Sequence, residues 1–492
     1  MLAGNVTGES VSSEALIAMQ SDLGATSDSI RHDATLHFSD RANPDWNSML
    51  SETPDDGIIT VTTTSDLNDT GSENFDSETL FFERGSDGEI SLTEAILAAN
   101  KTPGTDEIRF NIAGTGPQVI ALHSPLPQIS DSIVIDGTTQ SGYVDRPLIF
   151  LDGDDRLMDG LVLDAGTDGS EIRGLGLINI GGNAISVRSS ANMIAGNWIG
   201  GLDPASGDYV DSPNNGQSGI TVSGADNVIG GTHALDSNTI GGNVSFGVIL
   251  AGPSATDNTV LNNWIGVTRD GNDDAPIGLD GIGIFDSASH NSISGNVVGN
   301  ARHGIHLYDA TDNAVIDNAI GTGHRQTRTF GNAAWGIHIA GNSESNQIGR
   351  SGQGNVIVGN ASGGVTVLDS SERNSIRFNQ ITGNAQLPID LGGDGVDSND
   401  LLDLDRGGND RQNSPTLHSA TLSTAGLLTV DFDLQAEPAG IYRVDLYEAS
   451  VDAGSVGDPV RHLGTSVVTT SSAGTVSHSV IVTTPWTTGS GL

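Results

Sequence analysis

Residues 281–321 read GIGIFDSASHNSISGNVVGNARHGIHLYDATDNAVIDNAIG, and this stretch contains one pattern twice. An alternating apolar strand comes first, then an Asn before a short apolar step, and then a second Asn before another apolar pair. Each unit therefore offers three short strands that bury one or two aliphatic side chains apiece, which is too little for a separate core. Such units become stable when each stacks its strands in parallel on the next, so the pattern predicts a parallel β-helix.

The pattern recurs over much of the chain, in units of alternating length. Seven units begin with a pair of aliphatic residues, at Ile185/Val187, Ile220/Val222, Val248/Leu250, Ile282/Ile284, Ile305/Leu307, Ile337/Ile339 and Val365/Val367. Successive starts are separated by 35, 28, 34, 23, 32 and 28 residues. Asn side chains at equivalent turns are predicted to form ladders that join successive coils.

A helix is predicted in front of the repeats. Ser91 and Glu94 form a capping box, and the apolar run that follows extends to Asn100. An open end of a β-helix exposes unpaired strand edges and apolar side chains. We therefore expect this helix to cover the first coil.

The predicted fold class is all-β, a right-handed parallel β-helix with an N-terminal capping helix and a small C-terminal β-sandwich. Residues 1–55 are predicted to be a disordered leader, because they contain few aliphatic residues in any sustained period. The β-helix is assigned to residues 56–413, with its cap over 56–130 and an Asp-rich exit segment over 390–413. Residues 414–492 show longer alternating strands, which are typical of a sandwich-like module.

Charge and composition restrict the possible partners. The chain has 20 Lys and Arg against 62 Asp and Glu, a formal charge of −42, and no Cys. A nucleic acid or an anionic membrane would be repelled, and no stretch is long and apolar enough to predict membrane insertion. Acidic polysaccharides are disfavoured as well, unless a divalent cation such as Ca²⁺ bridges the carboxylates.

Residues 86–137 and 184–413 resemble the secreted bacterial parallel β-helix proteins of the pectate-lyase-like superfamily, whose repeats are close to GIxIxG…NxIGG…NxIxGN. The stretch Ile90–Asn100 resembles their N-terminal cap, and Ile389–Val396 resembles the segment that closes their helix. Met1–Asn5 resembles the end of an export leader, without its usual LEPR half. The resemblance implies an extracellular or cell-surface location, and we expect a monomeric rod. The resemblance is specific for fold rather than for activity.

The predicted site is a column of side chains on the outside of the strand that begins each unit. In this register His306 and His338 are neighbours about one coil apart, beside Tyr308 and Phe285. Aromatic rings stack on sugars, and His or Tyr can transfer protons. We predict His306, His338 and Tyr308 as catalytic groups of a possible enzyme. The predicted substrate-binding residues are Phe285, Asp286, Asp309 and Asp369.

The exit segment is a possible calcium site. Its predicted ligands are the carboxylates of Asp390, Asp394, Asp397, Asp400, Asp403 and Asp405. Hard oxygen ligands at this density suit Ca²⁺, although the segment lacks the spacing of an EF-hand. A solvated acidic loop is the alternative. No organic cofactor is expected.

Longer units carry insertions at residues 202–217, 267–279 and 322–334, which are expected to emerge on one flank of the helix. Trp198 and Trp264 lie at the bases of the first two insertions, where each could pack beneath its loop or present a platform for a sugar. The sequence favours packing.

Three functions remain open at this stage. The first is a surface protein that binds a polysaccharide or another cell-envelope polymer without turnover. The second is a polysaccharide lyase, epimerase or glycoside hydrolase that acts on the outer face of the helix. The compact Asp-Pro-His motif of alginate epimerases and the Asp and basic set of known lyases are both missing from this sequence. The third is a structural spacer or adhesin of the cell envelope.

Overall fold

The structure is a computed structural model that describes residues 57–70, 75–82, 84–156, 159–206, 208–210, 215–269, 271, 273–323, 328–450 and 457–484. The predicted leader, residues 1–55, lies outside the described residues. Within the described part, three parallel sheets run side by side along a helix, and each full coil adds one strand to each sheet. The coils wind in the right-handed sense that parallel crossover connections adopt.

The first sheet contains eleven described strands, joined in sequence order. These strands are β1 (Ile58–Val61), β2 (Asp106–Phe110), β4 (Ile133–Asp136), β7 (Glu171–Arg173), β10 (Met193–Ala195), β13 (Val228–Gly230), β16 (Thr259–Leu261), β19 (Ser292–Ser294), β22 (Ala314–Ile316), β25 (Gln347–Ile348) and β28 (Ser375–Ile376).

The second and third sheets complete the coil. The second sheet contains β3 (Gln118–Ala121), β5 (Ile149–Arg156), β8 (Leu175–Ile180), β11 (Trp198–Gly200), β14 (Thr239–Gly241), β17 (Trp264–Ile265), β20 (Val297–Val298), β23 (Ala319–Ile320), β26 (Val356–Val358) and β29 (Gln380–Thr382). The third sheet contains β6 (Leu161–Leu163), β9 (Ile185–Val187), β12 (Ile220–Val222), β15 (Val248–Ala251), β18 (Ile282–Phe285), β21 (Ile305–Tyr308), β24 (Ile337–Ala340), β27 (Val365–Val367) and β30 (Ile389–Leu391). The parallel β-helix predicted from the repeats is confirmed.

One continuous apolar stack fills the inside of the helix. Ile305 pairs in register with Ile337, and both side chains are fully buried. The same buried cluster extends from Ile59 in the first coil to Ile381 near the last. The predicted core, in which equivalent aliphatic residues of successive coils lie on top of one another, is therefore present.

Two ladders of Asn side chains lie along the turns on either side of the first sheet. The first ladder contains Asn192, Asn227, Asn258, Asn291, Asn313, Asn346, Asn374 and Asn409. The second contains Asn197, Asn238, Asn263, Asn296, Asn318, Asn355 and Asn379. The predicted ladders are confirmed. The structure adds Asn238 and Asn355, which follow the first Asn of their units by 11 and 9 residues, whereas the second Asn follows after 5 residues in the other units.

Each step of a ladder uses the same hydrogen bonds. The backbone N–H and the Nδ2 group of Asn263 donate to Oδ1 of Asn296 at 2.9 and 3.0 Å. Nδ2 of Asn296 in turn donates to Oδ1 of Asn318 and to the backbone oxygen of Val260. Because the amides are buried, these bonds satisfy peptide groups that the turns would otherwise leave unpaired.

The cap forms as predicted, and a second helix precedes it. Helix α2 (Leu92–Ala99) begins after Ser91, whose Oγ accepts from the N–H of Glu94 while Glu94 Oε2 accepts from the N–H of Ser91. Its Ala95 and Ile96 side chains belong to the main core. Helix α1 (Ser77–Phe82) was missed, because only Asp76 at its start, which accepts from the N–H of Thr79, indicates it in the sequence.

The C-terminal strands form a small sandwich of two antiparallel sheets. One sheet contains β31 (Thr416–Leu422), β32 (Leu427–Gln435) and β35 (Thr475–Thr483), and the other contains β33 (Ile441–Ser450) and β34 (Asp458–Thr469). The alternating pattern of the sequence predicts strands at residues 427–434, 441–449, 463–470 and 475–483, which correspond to β32, β33, β34 and β35, but it does not predict β31. That strand has few buried side chains, so it lacks the alternation that reveals the others.

The sandwich is joined to the last coils by polar contacts. The Arg377 guanidinium donates to both carboxylate oxygens of Asp445 at 2.6 and 2.7 Å. The backbone N–H of Phe378 donates to the hydroxyl of Tyr447 at 2.7 Å. Burial acts to raise the pKa of Asp445, but hydrogen bonds from Arg377, Thr465 and His462 outweigh it and lower this pKa.

We predict that Asn296→Ala destabilises the helix by at least about 2 kcal/mol, because it leaves several buried hydrogen-bonding groups without a partner. Asn342→Ala is the matched control, since Asn342 is exposed and bonds to Asp309 at the surface. Urea unfolding followed by circular dichroism measures both variants. Equal losses in the two variants would contradict a structural role for the ladder.

Candidate functional site

The outward column of the third sheet has the register that the repeats predicted. Gly283 pairs with His306, and His306 pairs with His338. Two residues further along these strands, Phe285 pairs with Tyr308. The pleat points these residues away from the core, so they lie together on the outer face of β18, β21 and β24.

Aromatic rings form a continuous ribbon on this face, which we call the aromatic ribbon and define by Phe246, Phe285, His306, His338 and Tyr308. Phe285 lies 5.4 Å from Phe246 and 5.0 Å from His306, measured between ring centroids. His306 lies 4.7 Å from His338 and 6.3 Å from Tyr308. Tyr308 is 43% exposed, and the other rings are partly buried.

Glycine at position 283 makes room for the ribbon. The Phe285 ring folds back over Gly283, and a Cβ at that position would collide with the ring. The gap in the outward column is thus filled by the side chain of Phe285. Any larger residue at position 283 would push this ring away from His306.

A buried carboxylate lies beneath the ribbon. Asp280, which is 0% exposed, accepts from Nδ1 of His306 at 2.8 Å. It also accepts from Nε and Nη2 of Arg302 at 2.9 and 2.8 Å. Burial acts to raise the pKa of Asp280, but the hydrogen bonds from His306 and Arg302 outweigh it and hold this pKa well below its usual range.

A third histidine completes the cluster. The ring of His303 stacks on His338 at 4.4 Å, and its Nδ1 accepts from the backbone N–H of Trp335 at 3.3 Å. Burial lowers the pKa of His303 to about 4, against the opposing charge of Asp280. Burial, with the nearby His303 and His306, lowers the pKa of His338 to about 3. Both rings are therefore neutral at pH 7.

Two imidazole nitrogens of the cluster are buried without a hydrogen-bond partner. They are Nε2 of His306 and Nδ1 of His338. Since His306 donates through Nδ1 to Asp280, its other nitrogen is the one that could exchange a proton with a substrate. In this arrangement neither nitrogen reaches the surface of the face.

The three predicted carboxylates beside the ribbon lie in turns. Asp309 accepts from the backbone N–H of Asn342 at 2.8 Å, and Asp369 accepts from that of Gly341 at 3.0 Å. Asp286 is exposed and adopts a left-handed φ of 57° directly after β18. Asp309 and Asp369 therefore bind turns of the coils, and Asp286 lies at the edge of the face.

A polar hollow of about 290 Å³ lies further along the same face, toward the N-terminus. Ser186 and Thr221 are in its outward column, and Ser186 also donates to Asp159 at 3.2 Å. The face thus changes from hydroxyl groups at β9 and β12 to aromatic rings at β18 and β21. A chain molecule lying along the helix would meet both kinds of surface.

The sequence missed three residues of the cluster and one ring of the ribbon. Asp280, Arg302, His303 and Phe246 all lie just before third-sheet strands, where unit lengths vary. Six of the seven units have a Gly directly before their first aliphatic residue, as at Gly281 and Gly304. The only sequence signal for the missed residues is a polar or aromatic side chain one or two positions before this Gly.

Six Asp were predicted as metal ligands, and three of them converge. Asp400, Asp403 and Asp405 each place a carboxylate oxygen within 4.8 Å of the others, so this Asp triad could bind a metal ion. Burial and the neighbouring carboxylates raise the pKa of Asp403 and of Asp405. A cation would relieve this repulsion.

The other three predicted ligands have different partners. Asp394 and Asp397 bind the Arg411 guanidinium at 3.0 and 2.6 Å. Asp390 is buried and accepts from the N–H groups of Gly393 and Gly395. These three carboxylates hold the exit segment together and lie outside the triad.

Comparison with known proteins finds one family profile and several solved structures that resemble this chain. A family profile described as periplasmic copper-binding protein (NosD) matches residues 149–350. The A-module of the mannuronan C-5 epimerase AlgE4 from Azotobacter vinelandii is 13% identical, with a TM-score of 0.37, over 63% of this chain and 94% of that one. The Dettilon tailspike protein is 12% identical, with a TM-score of 0.34, over 87% and 94%. The periplasmic alginate epimerase AlgG is 14% identical, with a TM-score of 0.30, over 58% and 59%.

The three parallel sheets make the chain a right-handed parallel β-helix protein. No curated protein matches the sequence. Within the described residues, no helix combines the length and the apolar character that a membrane span requires.

The described residues do not fit a copper centre. Apart from the Asp triad, no three His, Asp or Glu side chains of the described part bring ligand atoms within 4.8 Å of one another. The triad offers only hard oxygen atoms, whereas copper favours imidazole, thiolate or thioether ligands. His303, His306 and His338 are close in space but their nitrogens do not converge.

We predict that His303 and His338 do not titrate between pH 8 and pH 5, because burial opposes their protonation. Nuclear magnetic resonance of the imidazole groups, assigned with His303→Gln and His338→Gln, measures this directly. The unfolded chain binds protons at these positions below about pH 6.5 and the native one does not, so stability should fall as the pH drops from about 6.5 toward 4. Titration of either ring near pH 6.5 would contradict the buried cluster.

Proposed function

We propose that this chain is an exported protein that binds a carbohydrate or another cell-envelope polymer along the outward face of its third sheet, without turnover. The observation that carries the proposal is the aromatic ribbon, in which five rings lie in contact on one exposed face. These rings meet edge to face, at interplanar angles of 64–89°, and an aromatic face that stays open to solvent, as on Tyr308, suits stacking on a sugar ring. The partly exposed hydroxyl group of Thr221 on the same face suits a hydrogen bond from a sugar hydroxyl.

Burial of the imidazole nitrogens favours binding over turnover. A general base must come within hydrogen-bond reach of the proton that it removes. Nε2 of His306 and Nδ1 of His338 are both buried, and His338 stays neutral and weakly basic at pH 7. In this proposal His306 and His338 contribute their rings to the aromatic ribbon, and Asp280 fixes the orientation of the His306 ring.

The proposed location is outside the cytoplasm, in the periplasm or at the cell surface. The resemblance to exported β-helix proteins supports this location, and so does the periplasmic description of the family whose profile matches residues 149–350. The proposed partner is then a polymer of the envelope. The capping helix at one end and the sandwich at the other cover strand edges, which suits a single rod.

We expect Tyr308→Ala and Phe285→Ala each to weaken polymer binding about threefold to tenfold, because each removes one stacking ring. Ile441→Ala is the control, since that side chain is 74% exposed on the C-terminal sandwich. A glycan array identifies the ligand, and calorimetry then measures the affinities.

Assays for new reducing ends and for unsaturated uronates accompany this experiment. If these assays detect turnover and His306→Ala abolishes it, the proposal of binding without catalysis is wrong and the chain is an enzyme. If no glycan on the array shows saturable binding, the structural spacer is the function that remains.

Ca²⁺ is the ion that we propose for the Asp triad, because carboxylate oxygens in a flexible segment match its preference. An ion that binds only the folded chain raises its stability, by about 2.7 kcal/mol at one hundred times the dissociation constant. Calcium should therefore raise the melting temperature, and Asp403→Asn or Asp405→Asn should remove the effect.

Asp257→Asn serves as the control for calcium, since Asp257 is exposed, lies outside the triad and has a left-handed φ that Asn also adopts. Differential scanning calorimetry with and without millimolar Ca²⁺ gives the result. An unchanged transition of the wild-type chain would exclude calcium at the triad.

A further inference from the structure

The outward face of the third sheet is covered at its C-terminal end. Thr366 continues the column of His306 and His338, and Asp390 follows it on the last coil. These positions point away from the core, so a single sheet would leave them open to solvent. Thr366 is nevertheless 0% exposed and Asp390 is 3% exposed. Another segment must therefore lie over β27 and β30.

The covering segment is residues 392–397, which we call the exit strap. After β30 the chain turns over the outer face through Gly393 and Gly395, whose φ angles are 73° and 105°. Gly393 lies so close to the face that a Cβ there would be 2.7 Å from Cδ2 of Leu368 and 3.7 Å from Oγ1 of Thr366. Residues with a Cβ rarely adopt such φ angles. The path of the strap over Thr366 therefore depends on glycine.

The carboxylate of Asp390 holds the start of the strap. It accepts hydrogen bonds from the backbone N–H groups of Gly393 and Gly395 at 2.9 and 3.2 Å. Because Asp390 belongs to β30, these two bonds join the strap to the last coil.

A single guanidinium holds the rest of the strap. Arg411 donates to Asp397 at 2.6 Å and to Asp394 at 3.0 Å, and we call these two ion pairs the latch. Arg411 ends the short turn Gly408–Arg411. In this turn Gly408 lies so close to the backbone oxygen of Val367 that a Cβ would collide with it. The turn therefore packs on β27, and the latch joins the strap to a fixed part of the helix.

The latch is accessible to water and salt. The side chains of Arg411, Asp394 and Asp397 are 24%, 60% and 29% exposed. Ion pairs at exposed sites contribute little net stability, because water and dissolved ions screen them. Release of the strap from Arg411 therefore requires little free energy.

The closed strap leaves a polar atom unsatisfied beneath it. Oγ1 of Thr366 is buried without a hydrogen-bond partner, and so is Nδ1 of His338, its neighbour in register. A buried hydroxyl without a partner opposes the arrangement that buries it, since water would bond to it after exposure. The site beneath the strap thus favours opening, whereas the latch favours closure.

We propose that the exit strap is a lid on the third-sheet face, which opens when Arg411 releases Asp394 and Asp397 and thereby uncovers Thr366. Opening adds the coils of β27 and β30 to the face that carries the aromatic ribbon. The use of this lid rests on the proposed function, because a polymer bound at the ribbon would then contact two more coils of the helix.

Cysteine labelling measures the opening directly, because the chain contains no Cys. Thr366→Cys places one thiol beneath the strap. Ala288→Cys reports unfolding of the helix, since Ala288 is 0% exposed in the main core. Ser223→Cys gives the rate of an open thiol, since Ser223 is exposed in the hollow on the same face. With N-ethylmaleimide, the Thr366→Cys thiol should react at least about tenfold faster than the core thiol and at least about tenfold more slowly than the open one.

Arg411→Gln tests the latch. Combined with Thr366→Cys, it should raise the labelling rate about threefold to tenfold, because Asp394 and Asp397 lose their charged partner. Salt at about 1 M should raise the rate when Arg411 is present and have little effect in Arg411→Gln, since it screens the ion pairs. Arg350→Gln is the matched control, because it makes the same charge change at an exposed residue outside the strap.

The rate in Arg350→Gln should stay within about twofold of that in its parent. Melting curves, with the Ala288→Cys rate in the Arg411→Gln background, separate release of the strap from a general loss of stability. Labelling of Thr366→Cys only as fast as Ala288→Cys, or as fast as Ser223→Cys, would overturn the proposal. Equal effects of Arg411→Gln and Arg350→Gln, or a rate independent of salt, would overturn it too. The labelling requires no polymer, so failure of the lid is distinct from failure of polymer binding at the ribbon.

Discussion

Each coil of this helix must bend its backbone twice around the first sheet without leaving buried peptide groups unpaired. The bends are made by residues in the left-handed region, such as Asp226, Asp257 and Asp312, with φ near 56°. The Asn that follows each bend then supplies both a donor and an acceptor to the coils above and below. Because every step depends on its neighbours, the ladder fixes the register of successive coils as well as their stability.

Because the register between successive coils is fixed, the outward side chains of a repeated sequence lie in ordered columns on the surface. Once Ile305 lies on Ile337, the residues between the buried positions must form columns on the outside. His306 meets His338 for this reason, and Phe285 meets Tyr308. The functional faces therefore result from the same constraint as the core, and a shift of one residue in any coil would disperse them.

The sequence predicted what repeats in every unit and missed what varies between units. The buried aliphatics, the outward His and aromatic column, and the capping box at Ser91 all follow from short-range patterns. Asp280 and His303 were missed because they lie in connections whose length changes from coil to coil. Asn238 and Asn355 were missed for the same reason, since extra residues precede each of them in the turn.

The Asp-rich segment shows the limit of composition as a guide. All six of its predicted ligands are acidic and close in sequence, so residue type alone does not separate them. The structure separates them by partner, since Asp394 and Asp397 bind Arg411 and Asp390 binds backbone N–H groups. Only Asp400, Asp403 and Asp405 are brought together by the path of the backbone.

Ion pairing gives several of the few cations of this chain a structural role. Arg302, Arg377 and Arg411 each bind buried or partly buried carboxylates, where they orient a cluster, join the sandwich to the helix, or hold the exit segment. A guanidinium neutralised in this way has little attraction left for a ligand.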